Sequence, residues 1–255
     1  MSIFASLKNF VFATIIPDFK MLTDDTYYVS EYFQSIQGEG NYSGVNSLFI
    51  RFQHCNLRCS WCDTKYTWNK HSGVHKLFTQ TELKKIITGN MTPNVIFTGG
   101  EPTLYRLDQL VVPDKKFHVE SNGTIIPNQA LNIQMEDGSV FSRMAMDEKV
   151  ISEFNWVISP KLSNSFQEIN EEAIVFWANN DWCIFKFVAR NRKDLVEIND
   201  FADKYAIARK KLFVGIEGTT LASQIKPELV DDIINFGFNF SPRLHVMIWR
   251  NVHGK

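Results

Sequence analysis

Cys55, Cys59 and Cys62 stand together in the stretch HCNLRCSWCDT, and the chain has only four cysteines in all. A C-x3-C-x2-C loop offers three thiolates, one fewer than closes a metal site. On a [4Fe–4S] cluster, three cysteines hold three irons and leave the fourth iron open to a small chelating ligand. The same trio could instead hold zinc, with one of His54, His71 and His75 as fourth ligand. Structural zinc usually takes paired C-x2-C knuckles, however, and this chain has no second knuckle. The remaining cysteine, Cys183, sits among Ile184, Phe185 and Phe187, where a lone thiol reads as core packing.

A reactive loop of this kind needs a rigid frame. Runs rich in β-branched and aromatic residues predict strands at 28–33, 48–52, 95–98, 117–121, 156–159, 183–188, 212–216 and 244–249. Between them lie segments with helical spacing. The box Thr79-Gln80-Thr81-Glu82 predicts a helix start, with Gly89 as its stop. Further helices are expected over 165–178, 193–209 and 227–236, where Pro227 suits a first turn and Gly237 a C-terminal stop. Strands alternating with helices imply βαβ units and a mostly parallel sheet, hence an α/β fold. Turn glycines and polar groups follow three successive strands: Gly99 to Pro102, Asn122 to Thr124, and Pro160-Lys161. That is what the mouth of a parallel α/β barrel presents. Taken singly, each is simply a turn; in succession, downstream of the cysteine loop, they point to a site.

The remaining composition sets limits. A chain of 255 residues, 44% hydrophobic, suits one large domain with a full core. A formal charge of −1 supplies no basic excess for binding nucleic acid non-specifically. No apolar run reaches the length that spans a membrane. Four cysteines do not make a disulfide framework, and a clustered trio suits a reducing, cytoplasmic compartment. The apolar run 10–16 lacks a small-residue cleavage site and is broken by Pro17, Asp18 and Lys20, so a signal peptide is not expected. Residues 1–26 read as an extension, dispensable or preceding a working start at Met21, and 27–255 as a single domain. The polar, poorly periodic stretch 128–147 reads as an insertion.

The cysteine spacing is the signature of the radical S-adenosylmethionine (SAM) superfamily, and Phe97 to Pro102 resembles its GGE motif, which holds the methionine amino group. Within that superfamily the chain closely resembles the 7-carboxy-7-deazaguanine synthase family. The resemblance rests on Gln34 to Gly40, Leu48 to Phe52, Cys55 to Thr64 with Tyr66 to Trp68, Glu120 to Thr124, Ser159 to Lys161 and Pro242 to His245. It implies an incomplete, modified (β/α) barrel of the radical SAM type. It also implies a lyase reaction, in which 6-carboxy-5,6,7,8-tetrahydropterin is contracted to 7-carboxy-7-deazaguanine with loss of ammonia, in 7-deazapurine (queuosine-type) biosynthesis. A deoxyadenosyl radical takes hydrogen from the substrate and later receives it back, so SAM is used catalytically. An electron donor, unnamed by the sequence, and a homodimer are implied as well.

The resemblance assigns roles residue by residue. Cys55, Cys59 and Cys62 hold the [4Fe–4S] cluster, and Thr64 binds a Mg2+ ion that bridges to substrate. Trp61, Cys62, Asp63, Gly100, Ser159, Pro160 and Lys161 contact SAM, with Glu120 and Asn122 as further candidates. Ile36, Gln37, Gly38 and Thr98 contact the pterin. The residues themselves bear on Arg51. Alternation places Leu48, Ile50 and Phe52 on one face of their strand, and Phe49, Arg51 and Gln53 on the other. An arginine facing the helix layer would be buried unpaired at a cost of several kcal/mol. Facing a ligand-filled lumen, its planar fork can grip a carboxylate in bidentate fashion, the alternative being a salt bridge at a strand end. Glu39 is a candidate acid or base without visible tuning. His245 reads either as a substrate neighbour or as a satisfied core residue.

Two other functions fit part of this pattern. A radical activase that abstracts hydrogen from a protein glycine shares the cysteine spacing but should lack the Ile36–Gly38 loop and Thr64. A zinc-binding interaction module would show no iron–sulfur absorbance.

Overall fold

The computed structural model describes residues 24–68, 75–135, 140–250, 252 and 254. Residues 1–23, with Met21 and the apolar run 10–16, lie outside it, as does His71. Eleven strands are described. They are β1 (Thr26–Ile36), β2 (Asn46–Phe52), β3 (Lys76–Thr79), β4 (Asn94–Gly99), β5 (Lys116–Ser121), β6 (Leu131–Gln134), β7 (Val140–Arg143), β8 (Asn155–Ile158), β9 (Cys183–Ala189), β10 (Leu212–Ile216) and β11 (Asn239–Phe240). The helices are α1 (Gln80–Gly89), α2 (Glu148–Ile151), α3 (Glu171–Ala178), α4 (Arg192–Lys204), α5 (Leu221–Gln224), α6 (Pro227–Asn235) and α7 (Leu244–Trp249).

Nine strands form one sheet in the order β11-β10-β9-β8-β5-β4-β2-β1-β3. Every neighbouring pair from β2 to β11 is parallel, while β1 runs antiparallel to both β2 and β3. Among the described residues β3 and β11 remain unpaired edges, so the sheet curls without closing. This is the incomplete barrel expected from the resemblance.

The outer face of the sheet carries the core. Ile50, Phe52, Phe97, Val119, Trp156, Phe185 and Val214 are buried there with Leu83 and Ile87 of α1, Trp177 of α3, Leu195 and Ile198 of α4, and Ile233 of α6. Each such side chain removed from water contributes about 1.5–3 kcal/mol. The α1 start carries the expected capping box: Thr79 accepts from the Glu82 amide while the Glu82 carboxylate accepts from the Thr79 amide.

The opposite face is polar. Strand register aligns Glu31 with Arg51, Arg51 with Thr98, Ile96 with His118, Glu120 with Val157 and Phe213 with Lys186. Charged groups from β1, β2, β5 and β9 therefore look into one lumen. On the same face of the sheet, Tyr42 donates to Asn155 Oδ1 at 2.7 Å with its ring edge-on to His118.

Several expected elements are corrected. The stretch 244–249, expected as a strand, is α7. A short apolar run without Gly or Pro does not distinguish the two. The helix expected over 165–178 begins only at Glu171, because Phe166 is left-handed (φ 59°) and Asn170 is the N-cap, accepting from the Ala173 amide. The expected helix over 193–209 is Arg192–Lys204 and ends at Tyr205. The stretch 128–147 contains the separate hairpin β6–β7, whose tip (136–139) is outside the described residues. Its Arg143 is buried, donating to the carbonyls of Thr103, Pro127 and Gln129. The hairpin is thereby anchored beneath the GGE turn.

Candidate active site

The cysteine loop leaves the C-terminal end of β2 and is held from below by β4. The Gly100 amide donates to the Phe52 carbonyl at 3.0 Å, and the Glu101 amide donates to the His54 carbonyl at 2.8 Å. A Cβ on Gly100 would overlap that His54 carbonyl, so the residue must be glycine for the loop to seat. Its close approach is thus to the cysteine loop itself, a role in addition to the expected contact with SAM.

Glu101 is fully buried and its carboxylate is consumed internally. It accepts from the Thr103 amide and hydroxyl, the Ser121 hydroxyl and the Asn122 amide, at 2.6–2.9 Å. It fixes Asn122, whose Nδ2 donates to Asn56 Oδ1 at 2.9 Å inside the cysteine loop. Asn122 therefore serves the loop's geometry directly.

All three cysteines of the loop are free thiols facing one cavity of about 450 Å3. The Leu57 amide and the Trp68 indole N–H donate to Cys55 Sγ and Cys62 Sγ, each at 3.4 Å. Among the described residues no three His, Cys, Asp or Glu side chains gather closely enough to hold a single metal ion. Three thiols facing one cavity, with N–H donors aimed at two of them, suit a [4Fe–4S] cluster held by three cysteines. Burial first, and then the Glu101 carboxylate, pushes the Cys55 thiol up to about 12. Bound iron reverses that preference by stabilising thiolate.

The SAM-side candidates surround this loop. Trp61, Asp63, Ser159 and Lys161 line the same cavity. Lys161 Nζ donates to Ser159 Oγ at 3.0 Å and lies 5.1 Å from the centre of the Trp61 ring. Trp61 Nε1 is buried without a hydrogen-bond partner, at a cost of about 1–3 kcal/mol that a ligand acceptor would relieve. This orphan donor is what a small polar ligand beside the cluster would satisfy. Pro160 differs: it is buried behind the cavity wall and lines a small neighbouring recess instead. Thr64 lines the cavity with Oγ1 3.7 Å from Cys62 Sγ, able to offer Mg2+ one oxygen.

The pterin-side candidates form the lumen wall below. Gln37 Nε2 donates to Glu120 Oε1 at 2.9 Å, and Thr98 Oγ1 donates to Glu120 Oε2 at 2.8 Å. Glu120 thus stands in the cavity wall hydrogen-bonded to Gln37 and Thr98. Ile36 and Gly38 complete this wall, and a Cβ on Gly38 would overlap the His245 imidazole. His245 therefore faces the lumen rather than a core. Arg51 also faces it, with Nε donating to Glu31 Oε1 at 2.7 Å. Tyr66 donates to the same Glu31 oxygen at 2.7 Å. The strand-end salt bridge is real, and it aims the guanidinium from behind.

Two charged residues, Lys186 and Arg243, escaped the reading of the sequence as site members; both hold Glu39. Lys186 pairs with Glu39 Oε2, and Arg243 donates through Nε to Glu39 Oε1 at 2.7 Å. Burial works against charge on Glu39, but Lys186 and then Arg243 hold its carboxyl well below the usual range. Two cationic partners thus favour Glu39 as a carboxylate. The signal for Lys186 was present: in CIFKFVA it shares the lumen face with Ile184 and Val188, while Cys183, Phe185 and Phe187 are buried opposite.

Comparison with known proteins agrees with this arrangement. A family profile for 4Fe-4S single cluster domains matches residues 36–173. The 7-carboxy-7-deazaguanine synthase of Thermoplasma acidophilum is 31% identical, covering 89% of this chain and 99% of its own. That of Hyperthermus butylicus is 31% identical over 86% of this chain and 92% of its own. That of Pyrobaculum aerophilum is 29% identical over 89% and 96%. The crystal structure of QueE from Escherichia coli shares the fold, with a TM-score of 0.63 at 21% identity, covering 86% of this chain and 95% of that one. With a cluster loop, a lumen and relatives that span nearly the whole chain, this protein belongs to the 7-carboxy-7-deazaguanine synthase family.

Proposed function

We propose that the chain is a radical SAM lyase that contracts 6-carboxy-5,6,7,8-tetrahydropterin to 7-carboxy-7-deazaguanine and releases ammonia. The observation that carries this is one cavity with two chemistries: three free thiols at its mouth and a polar, charge-rich wall in its lumen. When bound, the cluster and SAM together supply the hydrogen-atom abstraction that starts the ring contraction. The protein's part is binding, orientation and exclusion of water.

Cys55, Cys59 and Cys62 would hold the cluster, and Trp61, Asp63, Gly100, Ser159 and Lys161 would flank SAM. Pro160 would support that wall from behind. In the lumen, Arg51 would take the substrate carboxylate with its outer nitrogens while Glu31 holds Nε. Gln37, Thr98 and Glu120 form a preset donor–acceptor row suited to the edge of a pterin ring. Ile36 and Gly38 would give that ring its apolar and backbone contacts. Thr64 would bind Mg2+ between cluster loop and substrate, where one or two protein oxygens suffice. As in the resemblance, the working unit is proposed as a homodimer in a reducing cytoplasm, fed by a separate electron donor. Among the described residues no helix is long and apolar enough to cross a membrane.

The test is anaerobic reconstitution with iron and sulfide, followed by incubation with the carboxypterin, SAM, Mg2+ and a chemical reductant. Mass spectrometry should find 7-carboxy-7-deazaguanine and equimolar ammonia. A cluster-loaded protein that yields neither would overturn the proposal. The activase alternative is disfavoured because the relatives that span most of the chain are 7-carboxy-7-deazaguanine synthases, and because Ile36–Gly38 and Thr64, which an activase should lack, line the cavity.

A further inference from the structure

One guanidinium joins three segments around the cavity. Arg243, in the turn before α7, donates through Nε to Glu39 Oε1 at 2.7 Å, through Nη2 to Asp63 Oδ2 at 2.6 Å, and through Nη1 to the Gly218 carbonyl at 2.8 Å. Glu39 follows the pterin-side loop, whose Gly38 carbonyl also accepts from the Leu244 amide at 2.9 Å. Asp63 stands between Cys62 and Thr64. Arg243 thus spans the cluster loop and the lumen wall, which the chain itself separates by 180 and 204 residues from this arginine. Its side chain is 10% exposed, against 13% for Glu39 and 41% for Asp63, so the Glu39 bond is sealed and the Asp63 bond sits at the cavity rim. The planar guanidinium directs donors on three separate nitrogens outward, which lets one side chain reach three segments at once.

We propose that Arg243 is a positioning residue that clamps the Asp63–Thr64 segment to the pterin side of the lumen, so that SAM cleavage at the mouth stays coupled to substrate conversion. The clamp rests on the function proposed above. Lys186 already pairs with Glu39, so loss of Arg243 leaves that carboxylate compensated while freeing Asp63. The segment carrying Thr64 then loses its fixed distance to the lumen. A misplacement of about 1 Å costs on the order of a hundredfold in a reaction that depends on near contact. The expected defect is in coupling, not in cluster binding, because Arg243 touches none of the three cysteines.

The test uses the full-length, cluster-loaded protein, three single variants, Arg243→Gln, Arg243→Lys and Asp63→Asn, and the double variant Arg243→Gln/Asp63→Asn. Each should retain the iron and sulfide content of the parent. Deoxyadenosine released per product should rise by about tenfold in both Arg243→Gln and Asp63→Asn. The double variant should be no worse than either single one, as expected when both changes break one interaction. Independently of turnover, amide hydrogen exchange should speed up across residues 60–68 in all three variants. Unchanged exchange there, or effects that multiply in the double variant, would overturn the clamp. If the parent makes no product while exchange still accelerates, the assigned reaction fails and the clamp stands. If Arg243→Gln does not fold, the exchange rates of Arg243→Lys and Asp63→Asn decide, since they read the anchoring of residues 60–68 apart from any contact of Asp63 with SAM.

Discussion

The indole N–H of Trp68 points at Cys62 Sγ, 3.4 Å away, and the guanidinium of Arg58 lies 5.3 Å from the centre of the Trp68 ring. A donor aimed at a ligating thiolate stabilises the more negative, reduced state of a cluster. The cation over the ring makes that N–H a better donor. Trp68→Phe should therefore lower the midpoint potential by on the order of tens of millivolts, with the cluster retained. Arg58→Ala should shift it the same way by less. A potentiometric titration followed by electron paramagnetic resonance measures both; equal potentials in parent and Trp68→Phe would contradict the role.

Arg51 is fixed by Glu31 and bordered by the Phe33 ring, 5.9 Å from its Cζ to the ring centre. Arg51→Lys keeps the charge but loses the fork. Substrate affinity should fall by roughly tenfold to a hundredfold, the worth of one or two charge-assisted hydrogen bonds. Titration of the loaded enzyme with carboxypterin reads this directly, and unchanged affinity would remove Arg51 from the binding wall.

Gly100→Ala places a methyl group into the His54 carbonyl, which is backbone and cannot step aside. The junction between β2, β4 and the cysteine loop should be destabilised by about 1–3 kcal/mol. The loop should also bind iron poorly. Iron content after reconstitution, beside the urea midpoint of the same preparation, checks both; full cluster loading would show that the loop tolerates displacement.

Acid sensitivity should trace to His118. It is buried against Tyr42, with Nε2 3.3 Å from Asn94 Oδ1. Burial, opposed by Glu120 and assisted by Lys116, lowers its pKa from 6.5 to about 4. The unfolded chain therefore takes up the proton first as the pH falls. The contribution of His118 should drop between about pH 6.5 and pH 4 and itself level off below, with a loss of roughly 2 kcal/mol between pH 7 and pH 5, while the carboxylate of Glu39 adds its own loss only below the ordinary carboxylate range. Urea unfolding at those two values measures the loss, and His118→Gln should flatten this part of the profile. Equal slopes in parent and variant would assign the acid sensitivity elsewhere.

The frame of parallel strands was legible because each is a short β-branched or aromatic run with a turn at its end. Helices with a box or proline at the start, such as Gln80–Gly89 and Pro227–Asn235, were legible for the same local reason. Where local signals conflict, the reading fails. LHVMIW lacks any breaker, and only packing decides that it is a helix burying Val246 and turning His245 to the lumen. Strand β3 was missed because it is only four residues, mostly exposed, and gains order from pairing with β1. The cysteine loop and most of its neighbours were readable as a motif. The partners that set their charge were not: Arg243 and Asp63 lie 180 residues apart, and no local pattern couples them. Glu120 was visible, but its place in the lumen depends on the register of β4 and β5.

The most direct measurement is turnover with less SAM than enzyme substrate, under strict anaerobiosis with excess reductant. If the three-cysteine cluster and the polar lumen work as one site, each SAM molecule should support many molecules of 7-carboxy-7-deazaguanine, with intact SAM recovered at the end. Product capped at one per SAM, or deoxyadenosine accumulating with no product from the unmodified protein, would contradict it.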